Sequence, residues 1–539
     1  MMKSHPHMKT VRDKFLGVVL GLFVLPGLHA GATTFYVDVN SSNPTLPYAD
    51  LTTAAVTIQD AVNAATNGDL ILVNDGYYQD GFGVAKETVG TGLQLKTLYV
   101  TNRVVANKPL TIQSLNGPSA AFISGSGIYR CAYLTNGATL SGFTLMNGEA
   151  GWISTTKTFR GSVSTTNILD GGGVSGAYTF GAKSAWVSNC VLTANQAYGN
   201  GGGAYWVNLV NCTVSGNAAT SGGGAYESAL VNCLVTGNSA QTYLNPPNPN
   251  FPTFSSVQSA AGGGLYVCYA VNCIIANNTA YLGGGVYDTT GLENCTIVNN
   301  SATFAGGVFL NGLSVSPYSY ASNCIIYYNT ASTGANFGAT NLFGNDCCTF
   351  PLPAGGTGNL TNDPALVDVY GGDLHLQAGS PCINSGNNAA ITNSTDLDGN
   401  PRIVGGTVDI GAYEFPTPAS VLSYAWAQQY GLPTDGSADY LDSDGDGMNN
   451  WQEFIAGTNP TNATSLLAVN SAVPQRSLNW IIVKWQSVNT RTYYLQRSSD
   501  LAAGFSPIQS NIVGQAGTTI FYDTTATNSS QYFYRVGVQ

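Results

Sequence analysis

A chain of 539 residues is long enough for several domains, and its 44% apolar and 11% aromatic content excludes a disordered protein. Only 9% of the residues are charged and 65 are glycine, which points to ordered, repetitive, glycine-turned β-structure. The formal net charge of −11 makes nucleic acid an unsuitable partner.

In chain order, the first feature is a secretory signal peptide over residues 1–32. Lys9, Arg12 and Lys14 precede an apolar run at 15–28, and Ala30, Gly31 and Ala32 supply small residues for cleavage, with Met8 as an alternative start. The other reading, a membrane anchor, fits less well because the run is short, and no later stretch is apolar for long enough to span a bilayer. Cleavage would take the net charge from −11 to −14. The mature protein is therefore expected outside the cell or on its surface, with no transmembrane segment, and as a monomer. Ile58, Ala61, Val62 and Ala65 follow at helical spacing and predict a short amphipathic helix.

A repeat dominates the centre. Asn-Cys pairs occur at 189–190, 211–212, 232–233, 272–273, 294–295 and 323–324, and each Cys is followed five positions later by Asn195, Asn217, Asn238, Asn278, Asn300 or Asn329. Glycine clusters precede them at 171–173, 201–203, 222–224, 262–264, 283–285 and 306–307. Six copies of 21 or more residues predict a solenoid. The Cys position and the position two later are apolar in every copy, so each copy carries a short strand with alternate residues inward. Stacked copies pair their strands in parallel about 4.8 Å apart. The fixed Asn is expected at a turn, in left-handed geometry, bonded to the same residue of the next coil.

On these residues the GGG-[AV]-Y clusters and the later [VIL]-x-x-N resemble the repeat of polymorphic outer-membrane proteins and, more broadly, right-handed parallel β-helix proteins of the pectin-lyase-like class. FYVDVN and TIQDAVNAATNGDLILVNDGYY resemble the capped start of such helices, and TDLDGNPRIVGGTVDIGAYEF, 395–415, resembles the closing segment called choice-of-anchor. The resemblance covers roughly residues 33–415 and implies an all-β fold, a right-handed parallel β-helix.

Six of the eleven cysteines share the inward column, which predicts a buried ladder of small apolar side chains; disulfides between adjacent coils are the alternative. Cys268, Cys347 and Cys348 are not assigned by the pattern. The fifth position from each cluster reads Ser175, Tyr205, Tyr226, Tyr266, Tyr287, Phe309: either a core ladder or an outward platform for sugar rings. The next column reads Gly176, Trp206, Glu227, Val267, Asp288, Leu310. Glu227 and Asp288, two coils or about 9.6 Å apart, are either the carboxylate pair of an inverting glycosidase or two solvated acids. Long insertions after Asn147 and Asn238 leave the same turn and are expected to wall a groove over Tyr205, Trp206, Tyr226 and Glu227. No Lys or Arg lies between Lys183 and Arg402, and His375 is the one histidine beyond the signal region, so the base and cation set of a pectate-lyase-type elimination cannot be carried over. Arg402, Asp409 and Glu414 read as a structural ion-pair cluster at the last coil.

After the repeat, DSDGDGMNNWQE fits a twelve-residue calcium loop: Asp442, Asp444 and Asp446 at positions 1, 3 and 5, Gly447 for the turn, the Met448 carbonyl at 7, Asn450 at 9 and Glu453 at 12. Three carboxylates this close require a cation, and Ca2+ is the expected one. The loop resembles single calcium repeats of the thrombospondin type 3-like and dockerin-like kinds; one copy alone argues against cohesin binding. Short helices are expected at 423–430 and 450–456. From 466 to 539 four alternating segments predict a β-sandwich similar to fibronectin type III modules.

The sequence thus divides into a signal peptide (1–32), a β-helix with an N-terminal cap (33–415), a calcium-bearing helical linker (416–465) and a C-terminal β-sandwich (466–539). It is read as a secreted or cell-surface protein that binds a polysaccharide or cell-surface glycan, or else as a polysaccharide hydrolase, less readily a lyase.

Overall fold

In a computed structural model, residues 32–539 are described apart from 90–95, 136, 159–161, 178–184, 242–259, 311–319, 340–342, 354, 476–479, 503 and 527–530. The signal-peptide segment lies outside the described residues. Two compact units form. The first runs to Gln377 and takes in Gly386–Ile403 and Val408–Pro416; the second comprises Ala378–Ser385, Val404–Thr407 and Thr417–Gln539.

The first unit is a right-handed parallel β-helix with three sheets. One coil shows why. Ala204–Tyr205 and Val207–Val210 lie in the first sheet, Thr213–Ser215 in the second and Ala218–Ala219 in the third, and each pairs in parallel with its equivalent one repeat on. Leu209 meets Leu230 and Val214 meets Val235, so the repeat period sets the register directly. Short strands suffice because each is paired on both sides, and the inward residues of all coils merge into one core.

A cap closes the beginning. Thr57 accepts from the Asp60 amide at the start of the helix Ile58–Ala64, and Ile58, Ala61, Val62 and Ala65 enter the core.

The buried Asn ladder has the predicted bonding and a different backbone. Asn195, Asn217, Asn238, Asn278, Asn300, Asn329 and Asn336 are linked amide to amide at 2.9–3.1 Å. Each Nδ2 from Asn195 to Asn329 also donates to a carbonyl of the preceding coil, as Asn238 does to Val214 at 2.8 Å. Left-handed geometry falls instead on the residue before the ladder, for example Gly216 (φ 63°), Gly237 (φ 65°) and Asn277 (φ 57°), and on the Asn before each Cys, such as Asn211 (φ 53°) and Asn232 (φ 53°). The bend precedes the ladder residue, which is itself not left-handed and lies buried.

The glycine clusters follow two different constraints. The first Gly of Gly222–Gly224 is left-handed (φ 63°), whereas a Cβ on Gly224 would lie 2.6 Å from the Gly264 carbonyl and 3.1 Å from Asn238 Nδ2. All eleven cysteines are free and buried. Cys324 precedes the pair Ile325–Cys348 in register, so Cys347 extends the column, and Cys268 faces the core from the first sheet. Burial pushes the thiols of Cys190 and Cys268 up to about 12.

The closing segment is a strap rather than a plug on the last coil. The Thr395 carbonyl accepts from Asn272 Nδ2 (2.6 Å), the Gly411 amide donates to Asn323 O (2.9 Å) and the Ala412 amide to Thr296 Oγ1 (3.0 Å), so Thr395, Gly411 and Ala412 are held on the side of several coils. Arg402, 1% exposed, donates to the Ala412, Asp409 and Gly411 carbonyls, with Glu414, Asp409 and Asp396 as the acidic groups around it. The cluster therefore ties the strap to itself, which corrects its expected place at the last coil.

In the second unit, Val469–Gln475, Trp480–Ser487 and Gly517–Asp523 form one antiparallel sheet and Ser506–Val513, Thr492–Ser498 and Phe533–Val538 another. Val483 and Trp485 from one meet Tyr493 and Leu495 from the other in a shared core, making a β-sandwich. The helices Tyr424–Gln429 and Asn450–Ala456 precede it, and Arg491 holds the second by donating to the Ile455 (2.8 Å) and Phe454 (3.1 Å) carbonyls.

Candidate binding face and calcium loop

The aromatic column faces outward. Ala204, Ala225, Leu265, Val286 and Val308 are fully buried in the core, and pleat alternation turns the next residue of each strand away from it. Tyr205, Tyr226, Tyr266, Tyr287 and Phe309 then stack ring on ring, with centroids 5.5, 4.7, 4.9 and 5.2 Å apart and planes within 20° of parallel. This geometry alters what the column can offer. Each inner ring has both faces covered by its neighbours, so the strip presents ring edges and phenol hydroxyls, not open faces. Burial pushes the Tyr266 phenol up to about 12, and burial together with Glu227 raises Tyr226 further, so these hydroxyls stay protonated.

The adjoining column sits on a bend that simple alternation did not foresee. Trp206 (φ 56°), Glu227 (φ 42°), Val267 (φ 51°) and Asp288 (φ 49°) are all left-handed, and the bend splits the first sheet into two faces. Ladder bonds continue through it, from the Trp206 amide to Tyr226 O (3.2 Å) and from the Glu227 amide to Tyr266 O (2.9 Å). Trp206 and Glu227 are half-buried, with the indole 6.5 Å from the Tyr205 ring and tilted by 59°. Asp288 lies two coils from Glu227 but is only 4% exposed. The two carboxylates differ in access to solvent.

Sequence reasoning missed a second acidic group that, like Glu227, acts on Tyr205. Asp170 precedes the first glycine cluster and accepts from the Asn200 amide at 2.7 Å; burial pushes its carboxyl up to about 6, against the pull of that bond and of Arg130. Asp170 and Glu227 both act on the Tyr205 phenol. Arg130 (side chain 2% exposed) is paired with Glu87 (12%), which arrives on the antiparallel hairpin Gly83–Val89 and Lys96–Ala106. The signal for Asp170 was its column: it occupies the position of Asn200 and Ser221 in later coils. Glu87 had no such signal, because the hairpin falls outside the repeat.

Of the two expected groove walls, the first insertion forms the hairpin Trp152–Thr158 with Ser162–Ile168. The second, around 242–259, lies outside the described residues.

In the second unit, Asp442, Asp444 and Asp446 bring one carboxylate oxygen each within 4.8 Å of the others. The loop holds them through its own amides: Asp442 accepts from Gly445 (2.8 Å) and Gly447 (3.0 Å), Asp446 from Met448 (2.8 Å). Asp444 Oδ2, Asp446 Oδ2, Asn450 Oδ1 and Glu453 Oε2 are buried and have no hydrogen-bond partner. Burial and the three aspartates push the Glu453 carboxyl up to about 7. Four orphaned oxygens at positions 3, 5, 9 and 12, beside three aspartates drawn within 4.8 Å of one another, fit a hard cation that takes oxygen ligands. The Asn450 amide donates to Leu441 O (2.8 Å) and its Nδ2 to Ala438 O (2.8 Å), which fixes the loop end where the helix starts.

His375 lies outside both sites. Its Nδ1 is 2.6 Å from Asp373 Oδ1 and its Nε2 2.8 Å from Asp398 Oδ2, and its ring stacks on Tyr413. No helix among the described residues is long and apolar enough to cross a membrane.

No protein-family profile and no curated relative matches the chain. Among solved structures it is similar to pectate lyase Pel9A, at 14% identity and a TM-score of 0.34, over 72% of this chain and 98% of that one. It is also similar to pectin methylesterase PemA from Erwinia chrysanthemi, at 11% identity and a TM-score of 0.29, over 62% of this chain and 94% of that one.

Proposed function

We propose that this is a secreted or cell-surface protein whose β-helix binds a polysaccharide without cleaving it, through the outer face of the first sheet. The observation that carries the reading is the outward strip of Tyr205, Tyr226 and Tyr266 with Trp206 and Glu227 beside it, all half-buried on consecutive coils. Trp206 supplies the ring whose plane is tilted out of the stack; Glu227 and the phenols supply hydrogen-bonding groups. The scaffold fixes these groups in advance, which limits the ordering cost of binding.

The test is a glycan array probed with the full mature protein, followed by a reducing-end assay on every polymer it retains. Trp206→Ala is expected to weaken retention about three- to tenfold, the range of one aromatic contact. New reducing ends that vanish in Glu227→Gln would replace this reading with a hydrolase. That second reading is favoured by one observation, the Asp170 carboxyl held up to about 6 beside Tyr205, and it would pair Glu227 with Asp170 rather than with the buried Asp288.

The loop 442–453 is proposed to hold Ca2+ through Asp442, Asp444, Asp446, the Met448 carbonyl, Asn450 and Glu453. Bound calcium would neutralise the carboxylates that otherwise repel one another and so fix the loop ahead of the sandwich.

A further inference from the structure

We infer that the binding face selects uncharged polysaccharides and rejects polyuronates. The inference rests on the glycan-binding reading above and adds the class of ligand.

The groups on the strip are acceptors or neutral hydroxyls. The Tyr226 and Tyr266 phenols are held protonated, Glu227 stands beside Tyr226, and Asp170 stands at the Tyr205 end. Cations are lacking on the same coils. Residues 184–401 contain no Lys or Arg, and the guanidinium within electrostatic reach, Arg130, is 2% exposed and already paired with Glu87. Lys157 and, outside the described residues, Arg160 and Lys183 belong to insertions that precede the ladder in the chain.

A sugar hydroxyl donates to a carboxylate in a charge-assisted bond, and a phenol can both donate and accept, so a polyol finds partners along the strip. A polyuronate brings one carboxylate per sugar to a face whose acidic groups are Glu227 and Asp170, with no exposed cation among the described residues of these coils to receive it. Like charges set a few ångströms apart repel, so uronate carboxylates that reach Glu227 or Asp170 are disfavoured. The tyrosine ladder, spaced at 4.7–5.5 Å, is itself neutral, so the repulsion is set locally by Glu227 and Asp170.

Affinity electrophoresis of the full mature protein tests this, in native gels cast with hydroxyethylcellulose, galactomannan, laminarin or polygalacturonate, each run in EGTA so that calcium cannot bridge two carboxylates. The expected result is retardation by at least one neutral polymer and at least tenfold weaker retardation by polygalacturonate. Glu227→Gln is expected to weaken the neutral complex and to narrow that gap. Retardation by polygalacturonate equal to or stronger than by every neutral polymer overturns the inference while leaving glycan binding intact. An unchanged gap in Glu227→Gln overturns the assignment of selectivity to this face. No retardation in any of the four gels overturns both the inference and the function on which it rests.

Discussion

Replacing Asn238 by aspartate probes the buried ladder with a change of almost no volume. The native amide is 1% exposed; its Nδ2 donates to Val214 O (2.8 Å) and Asn278 Oδ1 (3.0 Å), and its Oδ1 accepts from the Asn217 amide (3.0 Å) and Asn217 Nδ2 (2.9 Å). A carboxylate keeps the two bonds to Asn217 but sets an oxygen against two other oxygens at about 3 Å. Only its protonated form can donate to one of them, so the folded protein holds the proton. Full burial raises a carboxyl by up to about 3–5 units. The folded value thus lies above the unfolded one, near 3.9, and the deficit relative to wild type is smallest below that pH and grows as pH rises towards the folded value. The slope is about 1.4 kcal/mol per pH unit and the full deficit roughly 4–7 kcal/mol. Asn238→Ala instead removes four hydrogen bonds at every pH and is expected to cost roughly 3–6 kcal/mol, since unsatisfied buried groups cost about 1–3 kcal/mol each and some relax. Because solenoid stability is a sum over neighbouring coils, the readout is hydrogen exchange of the coils around 212–300 from pH 4 to pH 8. A deficit in Asn238→Asp that does not vary with pH, or a cost of Asn238→Ala below about 1 kcal/mol, would refute the claim that the ladder is buried and fully bonded.

Four further outcomes are expected. Gly224→Ala, whose Cβ meets a fixed carbonyl at 2.6 Å, should cost about 1–3 kcal/mol by overpacking, whereas Gly237→Ala, left-handed (φ 65°) but with its nearest atom at 3.9 Å, should cost about 1 kcal/mol; equal losses in thermal melts would contradict the division of glycine roles. Burial opposes protonation of His375, but Asp398 and Asp373 outweigh it and raise the imidazole, so its contribution is present below about pH 6.5 and is lost as pH rises through the folded value. NMR titration of this imidazole should show a midpoint above the ordinary value, and Asp398→Asn should lower it. Calcium is expected to raise the melting of the second unit, by about 2.7 kcal/mol at a hundredfold excess over Kd, and Glu453→Ala should abolish the increment while leaving β-helix exchange unchanged. Thiol titration should find eleven reactive groups in denaturant without reductant and almost none in the native protein; fewer than eleven would mean disulfides.

What could be read from the sequence was what the repeat repeats. The Cys and Asn columns recur at a fixed spacing, so their inward direction and their coil-to-coil partners follow from period alone, as Leu209 against Leu230 and Val214 against Val235 bear out. Residues that occur once have no register to read. Glu87 reaches Arg130 only because an antiparallel hairpin folds back, and the strap places Thr392 on Glu293 across 99 residues of sequence. The outward direction of the tyrosines was recoverable in principle, since Ala, Leu or Val precedes each one and all of these are buried. Glycine-rich turns next to two-residue strands left that inference open until the backbone was known.

The bend at Trp206, Glu227, Val267 and Asp288 had no sequence signal for a physical reason. Left-handed positions are usually announced by Gly, Asn or Asp, and elsewhere in this rod many are, as at Asn211, Asn232 and Asn272, with Ala194, Ala305 and Tyr328 among the exceptions. Here Trp and β-branched Val adopt φ 56° and 51°, at a cost of about 1–2 kcal/mol each. Inter-coil bonds on either side hold them there, so the constraint comes from the neighbouring coils and not from the residue itself. A position whose backbone is fixed by its neighbours is free in side-chain identity, and this column accordingly runs from indole to carboxylate to isopropyl on successive coils. The core columns have no such freedom, because each must fill the same space. Chemical variety on a rod this regular is therefore confined to columns that the coils hold but do not bury, and the one beside the tyrosine strip is where Trp206 and Glu227 meet a ligand in the reading proposed above.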